Sequence, residues 1–148
     1  MSLRRRIREQ RGATAGLEVI PFGFLIFVLG AVMMINSWTV IDSWMAVSAA
    51  AREGARTYVE SDPVTAWPDA QRAVQNVMDD YGRGVRALPA TRSSDDYRRC
   101  EVVTITASYD IALINAPFIG SFGSFTTIDS SHTERIDPFR SGEFGGSC

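Results

Sequence analysis

The residues with chemical capacity are few and scattered. His132 is the one histidine. It stands among Ser and Thr in a strand-like stretch, the setting of an exposed strand residue and not of a positioned general base. Asp79-Asp80 and Asp95-Asp96 pair carboxylates in sequence. Neighbours at a helix end or in a polar loop do not converge on one substrate, so both pairs read as solvated surface. No nucleophile elbow, phosphate-binding glycine loop or metal-ligand spacing occurs. The expectation is a non-enzyme with no catalytic residues, no metal and no cofactor. Cys100 and Cys148 are the only cysteines; outside the cytoplasm they could form a bridge tying the chain's end to the start of a strand. One acid is out of place. Glu18 sits at the entrance to a long apolar run, where an ionisable group is costly and asks for a partner. It can lie solvated at headgroup level at the positive end of the helix dipole, or pair with a cation from a neighbouring chain.

The element that positions Glu18 is a run without charge from Val19 to Ile41. As a helix it spans roughly 35 Å, enough for a hydrocarbon core of about 30 Å. Pro21 and Gly23 fall near its start, where a missing N–H is least costly. Ahead of it, five arginines against Glu9 give the first eleven residues a charge of +4, which leaves -6 for the rest of a chain whose net charge is -2. A basic segment before a span stays in the cytoplasm, so the orientation is N-terminus in and C-terminus out. Binding of nucleic acid or anionic lipid by the arginines is the weaker explanation beside a hydrophobic span. A cleaved signal peptide is the other alternative, with Ala49-Ala50-Ala51 as an A-x-A-like site. The apolar core is longer than the usual ~7–15 residues, which favours an uncleaved anchor.

With 148 residues, 45% of them apolar, the chain has room for one small domain and an appendage. Helix-favouring residues continue past Ile41 to the break before Pro63, giving one helix from about Thr14 to Glu60. Its outer half is amphipathic, with Val40, Trp44, Val47, Ala51, Ala55 and Tyr58 near helical spacing. Trp38 and Trp44 suit a membrane interface or could pack on the outer domain. A second helix is expected from Trp67 or Pro68 to Tyr81, stopped by Gly82, with Ala70, Ala73, Val74, Val77, Met78 and Tyr81 as its apolar stripe. A polar loop is expected from Gly84 through Arg92 to Asp96. The period then changes to two: Val103, Ile105, Ala107, Tyr109 and Ile111 alternate with polar residues, and a second strand runs from about Phe125 to Ile136. The fold class is therefore α+β. A long N-terminal transmembrane helix extends into a small outer domain holding a second helix and an antiparallel β-hairpin or small sheet. The divisions are a basic leader over 1–13, the helix over 14–60 and the outer domain over 61–148.

Three segments carry a family resemblance. Arg11-Gly12-Ala13-Thr14-Ala15-Gly16-Leu17-Glu18 precedes the apolar run, Ala50-Ala51-Arg52-Glu53-Gly54-Ala55-Arg56 follows it, and Arg135-Ile136-Asp137-Pro138-Phe139-Arg140 closes the last strand. In this order the chain resembles the TadE-like minor pilins (pseudopilins) of tight-adherence pilus systems. The resemblance implies cleavage of the leader by a prepilin peptidase, Glu18 engaging other pilus subunits, and a role in pilus initiation or assembly. Cutting after Gly12 would leave Glu18 sixth in the mature chain, and cutting after Ala13 would leave it fifth. The implied partners are other pilus subunits, assembly proteins, the peptidase and the membrane, with no nucleic acid. The implied location is the cytoplasmic membrane, single-pass, with passage into a pilus. The alternative is a membrane-anchored binding or adhesion module outside any filament, with Leu113, Ile114, Pro117, Phe118, Ile119 and Phe122 as its interaction tip. Gly54 inside a helix costs about 1 kcal/mol relative to Ala, which points to close packing of this segment against another element and not to a binding role.

Overall fold

One helix dominates the architecture. The computed structural model describes residues 19–116 and 120–139. Helix α1, Val19–Glu60, is unbroken over 42 residues, about 63 Å at 1.5 Å per residue. No proline interrupts it after Pro21, and Ala is concentrated in its outer half. Helix α2, Ala66–Asp80, packs against that outer half. A single 3-10 turn, Gly84–Arg86, leads into strand β1, Ala87–Arg92, followed by β2, Val102–Ala116, and β3, Gly120–Arg135. The three strands form an antiparallel sheet in the order β1-β2-β3. The fold is α+β, and the expected hairpin of β2 and β3 is the larger part of the sheet.

Burial explains the sheet's register. Val103, Ile105, Ala107, Tyr109 and Ile111 all face the core, as their alternation predicts. The opposite face is hydroxylated: Thr104 pairs with Thr133 at 2.9 Å and Thr106 with Ser131 at 2.8 Å, each directly across the ladder. A register shift between Ala112 and Ile114 breaks the alternation, and Ala112 is buried beside Ile111. Both strands reach further toward their connection than expected, to Ala116 and from Gly120, because the ladder continues past that irregularity. Ile136, just after β3, plugs the core; its N–H donates to the Glu101 carbonyl at 2.9 Å.

Three expectations need correction. The stretch from Gly84 to Asp96 is not all loop, since Ala87–Arg92 is an edge strand. Pro89 disguises it, having no N–H for a ladder; it is accommodated at the sheet's edge by a register shift between Leu88 and Thr91. Helix α2 begins at Ala66 and ends at Asp80, so Pro68 is its third residue and Tyr81 its cap. The N–H groups of a helix's first turn have no partner within the helix, so proline is harmless there. The buried face of α1 is also rotated from the expected one. Ser43, Ala46, Val47, Ala50, Ala51, Gly54, Ala55 and Tyr58 form it, while Val40 and Trp44 are 44% and 56% exposed. Small residues let α2 and the sheet approach the helix closely, and the bulky Trp44 is excluded from that side.

Candidate functional site

The surface that stands out is the inner half of α1. Its most apolar stretch has no buried residue, and the helix is long and apolar enough, by length and composition, to cross a membrane. Phe22, Phe24, Phe27, Met33 and Met34 are each at least 65% exposed. Monomeric soluble proteins do not leave so large an apolar surface uncovered. Trp38 is 69% exposed, so neither it nor Trp44 packs on the domain.

The polar side chains at the outer end of this surface satisfy themselves. Asn36 Nδ2 donates to the Val32 carbonyl at 2.7 Å, Ser37 Oγ to Met33 at 2.9 Å, Thr39 Oγ1 to Ile35 at 2.9 Å, and Ser43 Oγ to Thr39 at 2.7 Å. Each bond runs back one turn, so the three hydroxyl donors and one N–H of Asn36 are met by the helix itself. A helix whose hydroxyls are closed on its own carbonyls enters an apolar medium or packs on another helix at lower cost.

Above the apolar half, α1 is fixed to the domain at several levels. At the lowest, Asp42 accepts a charged hydrogen bond from Arg83. Helix α2 sets the position of Arg83 through its C-terminus. Gly82 adopts φ +68°, its N–H donates to the Asp79 carbonyl, and the Arg83 N–H donates to Met78 at 2.7 Å. This is the Schellman arrangement, for which glycine is the favoured residue. It turns Arg83 back toward α1, where its guanidinium also lies 5.5 Å from the centre of the Tyr109 ring. Arg83, Arg86, Thr39, Tyr109, Ile111 and Ala112 line a cavity of about 310 Å³.

The middle level is the segment singled out in the sequence. A methyl on Gly54 would fall 2.5 Å from Val74 Cγ2 and 3.3 Å from Ile105 Cγ2, so this glycine is where α1, α2 and β2 meet. Arg52, Glu53 and Arg56 are exposed, and Arg56 pairs with Glu60 at 2.9 Å. The hydrogen bond and charge of Glu60, with Glu53 nearby, hold the Arg56 guanidinium even further above its ordinary range.

At the far end a clamp closes on Tyr58. Its ring lies 5.4 Å from that of Tyr97, whose hydroxyl reaches the carbonyls of Val59 at 3.1 Å and Ser61 at 2.9 Å. Val59 is in the last turn of α1 and Ser61 just follows it, so one side chain binds the backbone at the helix end. Arg92 stacks its guanidinium on Trp67 at 4.8 Å and on Tyr58 at 5.9 Å, and pairs with Asp95 at 2.7 Å. The sequence offers little signal for this clamp, because Arg92 and Asp95 read there as polar loop residues and Tyr97 falls in no expected element.

The other singled-out residues do not assemble into a site. His132 is half-buried on β3 and lies 3.1 Å from Glu134, two residues along the same strand face. Asp79 and Asp80 are exposed at the end of α2, and Asp96 pairs with Arg98. Among the described residues no group of three potential metal ligands converges. Cys100, at φ 65°, is in the left-handed region that favours glycine, and it is not a free thiol. Cys148, its expected partner, lies outside the described residues, as do the candidate cleavage residues Gly12 and Ala13, the candidate interaction residue Glu18, and Pro117, Phe118 and Ile119 of the apolar connection. No protein-family model, curated protein or solved structure matches this chain.

Proposed function

We propose that this protein is a minor-pilin-like structural component of a tight-adherence pilus, anchored in the cytoplasmic membrane before assembly. The observation that carries the reading is the division of α1. One unbroken helix is bare and apolar along its inner half and packed to a small α+β domain along its outer half. That division suits a subunit held in a bilayer and later transferred into a bundle of like helices, since the same exposed surface serves lipid and neighbouring helices in turn. The sequence adds the resemblance of its three segments to TadE-like minor pilins. On this reading the arginine-rich segment is cytoplasmic, the domain is extracytoplasmic, a prepilin peptidase cuts after Gly12 or Ala13, and Glu18 pairs with a cation in a neighbouring subunit. A bridge between Cys100 and Cys148 would secure the chain's end in the oxidising compartment.

The alternative of an anchored adhesion module gains less from the geometry. Its supposed tip begins at Leu113, and the residues just before it, Ile111 and Ala112, share a cavity with Thr39, in the charge-free run of α1. An adhesive tip belongs at the opposite end, near Tyr58.

The test is the N-terminal sequence and intact mass of membrane-extracted protein, with and without a co-expressed prepilin peptidase, together with its recovery in sheared filaments. The expected result is a peptidase-dependent terminus at Ala13 or Thr14 and co-purification with filaments. A retained Met1 and absence from filaments would leave the anchored module. A terminus near Arg52 would mean that the apolar half is a signal peptide.

A further inference from the structure

The turn after α2 brings two arginines to one hollow. Gly82, at φ +68°, ends the helix, and the 3-10 turn Gly84–Arg86 follows at once. Arg83 and Arg86 then line the same cavity of about 310 Å³, whose other walls are Thr39 of α1 and Tyr109, Ile111 and Ala112 of β2. Three segments far apart in the chain thus meet around it.

The fold does not use up the polar groups of this cavity. Thr39 is closed, since its hydroxyl donates to the Ile35 carbonyl at 2.9 Å. Arg83 is only partly satisfied: one terminal nitrogen bonds Asp42, while its Nε is buried without an acceptor among the described residues. Tyr109 is 7% exposed, yet its hydroxyl has no hydrogen-bond partner among the described residues. That hydroxyl is not sealed in protein either, so the small open part of Tyr109 includes its donor. A buried tyrosine hydroxyl ordinarily has a partner. Arg86 is exposed and borders both this cavity and a second hollow of about 250 Å³, which it shares with Asp110. The Asp110 carboxylate accepts from the Thr127 hydroxyl at 2.7 Å.

The spare capacity is therefore all on the donor side. Asp42 is the acid bound to Arg83, and it is itself 42% exposed. Two guanidinium groups against this one carboxylate leave the cavity wall with a positive charge in excess. The missing piece is an anion rich in acceptors. A planar carboxylate is already supplied by Asp42. A tetrahedral oxyanion presents oxygens in more directions, which suits donors that come from the end of α2, the 3-10 turn and β2. Guanidinium groups match phosphoryl oxygens in geometry as well as charge.

We infer that this cavity is a binding site for a phosphoryl group, held by Arg83 and Arg86 with the Tyr109 hydroxyl as a third donor. The recognition chemistry is the same for inorganic phosphate and for the headgroup of an anionic phospholipid. A bound group ties the end of α2, the 3-10 turn and β2 together beside Thr39, where α1 joins the domain. The inference goes beyond the assembly role and stands whether or not the protein enters a filament.

The test uses the full chain in an uncharged detergent, heated at constant ionic strength and followed by tryptophan fluorescence. The probes are inorganic phosphate and short-chain phosphatidylglycerol, with chloride and short-chain diacylglycerol as references that lack the phosphoryl group. Occupancy should raise Tm saturably, by roughly 10 °C at about a hundredfold excess over the dissociation constant. A rise with inorganic phosphate shows that the free ion suffices, and a rise with phosphatidylglycerol alone assigns the lipid headgroup. Each variant is compared with its own Tm without probe. Arg86→Gln should abolish the rise, and Tyr109→Phe should weaken binding about tenfold through the loss of one hydrogen bond to a charged group. Arg52→Gln, which removes an exposed arginine of α1 outside the cavity, should respond as the unaltered chain does. No saturable rise with either probe would overturn the inference. So would a rise that survives in Arg86→Gln, which would mark a general salt effect.

Discussion

Gly30 and Gly54 belong to the same uninterrupted helix, yet a methyl added to the first meets nothing within 4 Å, while one added to the second runs into Val74 and Ile105. The inner half of α1 is a surface of large apolar side chains waiting for an environment. The outer half is a seam of small residues whose environment is already supplied by α2 and the sheet. The inner surface and the outer seam are both apolar, but the size of their side chains separates them. Large residues suit a medium that adapts to them, such as lipid or interchangeable neighbouring helices. Small ones suit a fixed partner at close range, where each missing methylene brings backbones nearer.

The sharpest way to break this comparison is to exchange sizes. Gly54→Leu should destabilise the domain by about 3 kcal/mol, since the added atoms have no space between α2 and β2. Denaturant unfolding followed by Trp67 fluorescence reads this directly, and a loss below about 0.5 kcal/mol would show that the seam is not tightly packed. A smaller effect is expected at the far end. Arg92→Ala removes two ring contacts and the pair with Asp95, and should cost about 2 kcal/mol while shifting Trp67 emission. Hydrogen exchange at the last turn of α1 should stay slow in that variant, because Tyr97 still holds the Val59 and Ser61 carbonyls; fast exchange would mean that the clamp acts as a unit. The smallest effect belongs to the inner half. Gly30→Leu should change domain stability by less than about 0.5 kcal/mol, because nothing lies within 4 Å of that position. A loss comparable to that of Gly54→Leu would abolish the distinction between the two halves.

Much of the fold is legible in the sequence, and the failures have physical causes. Period two in Val103 to Ile111 announces β2 because one face of the strand is buried and the other is not. Gly82 announces the end of α2 because the turn there needs a left-handed residue. Strand β1 is hidden because an edge strand tolerates proline and needs only one good ladder, so its pattern is weak. The buried face of α1 is misjudged by its bulkiest member. Trp44 fits helical spacing, but spacing alone does not say whether a ring or an alanine faces the domain. The clamp of Arg92, Tyr97, Trp67 and Tyr58 draws on four separate segments, and no local pattern relates them.

The sequence by itself determines that a helix opening with a long charge-free run precedes a small α+β domain and that Gly54 lies in a close contact. These follow from local quantities: hydrophobicity, period, turn chemistry and the spacing of residue types. The tertiary structure alone decides which face of α1 the domain covers and how Asp42 meets Arg83. Those depend on the relative levels of elements far apart in the chain, which packing and strand register set and no stretch of sequence contains.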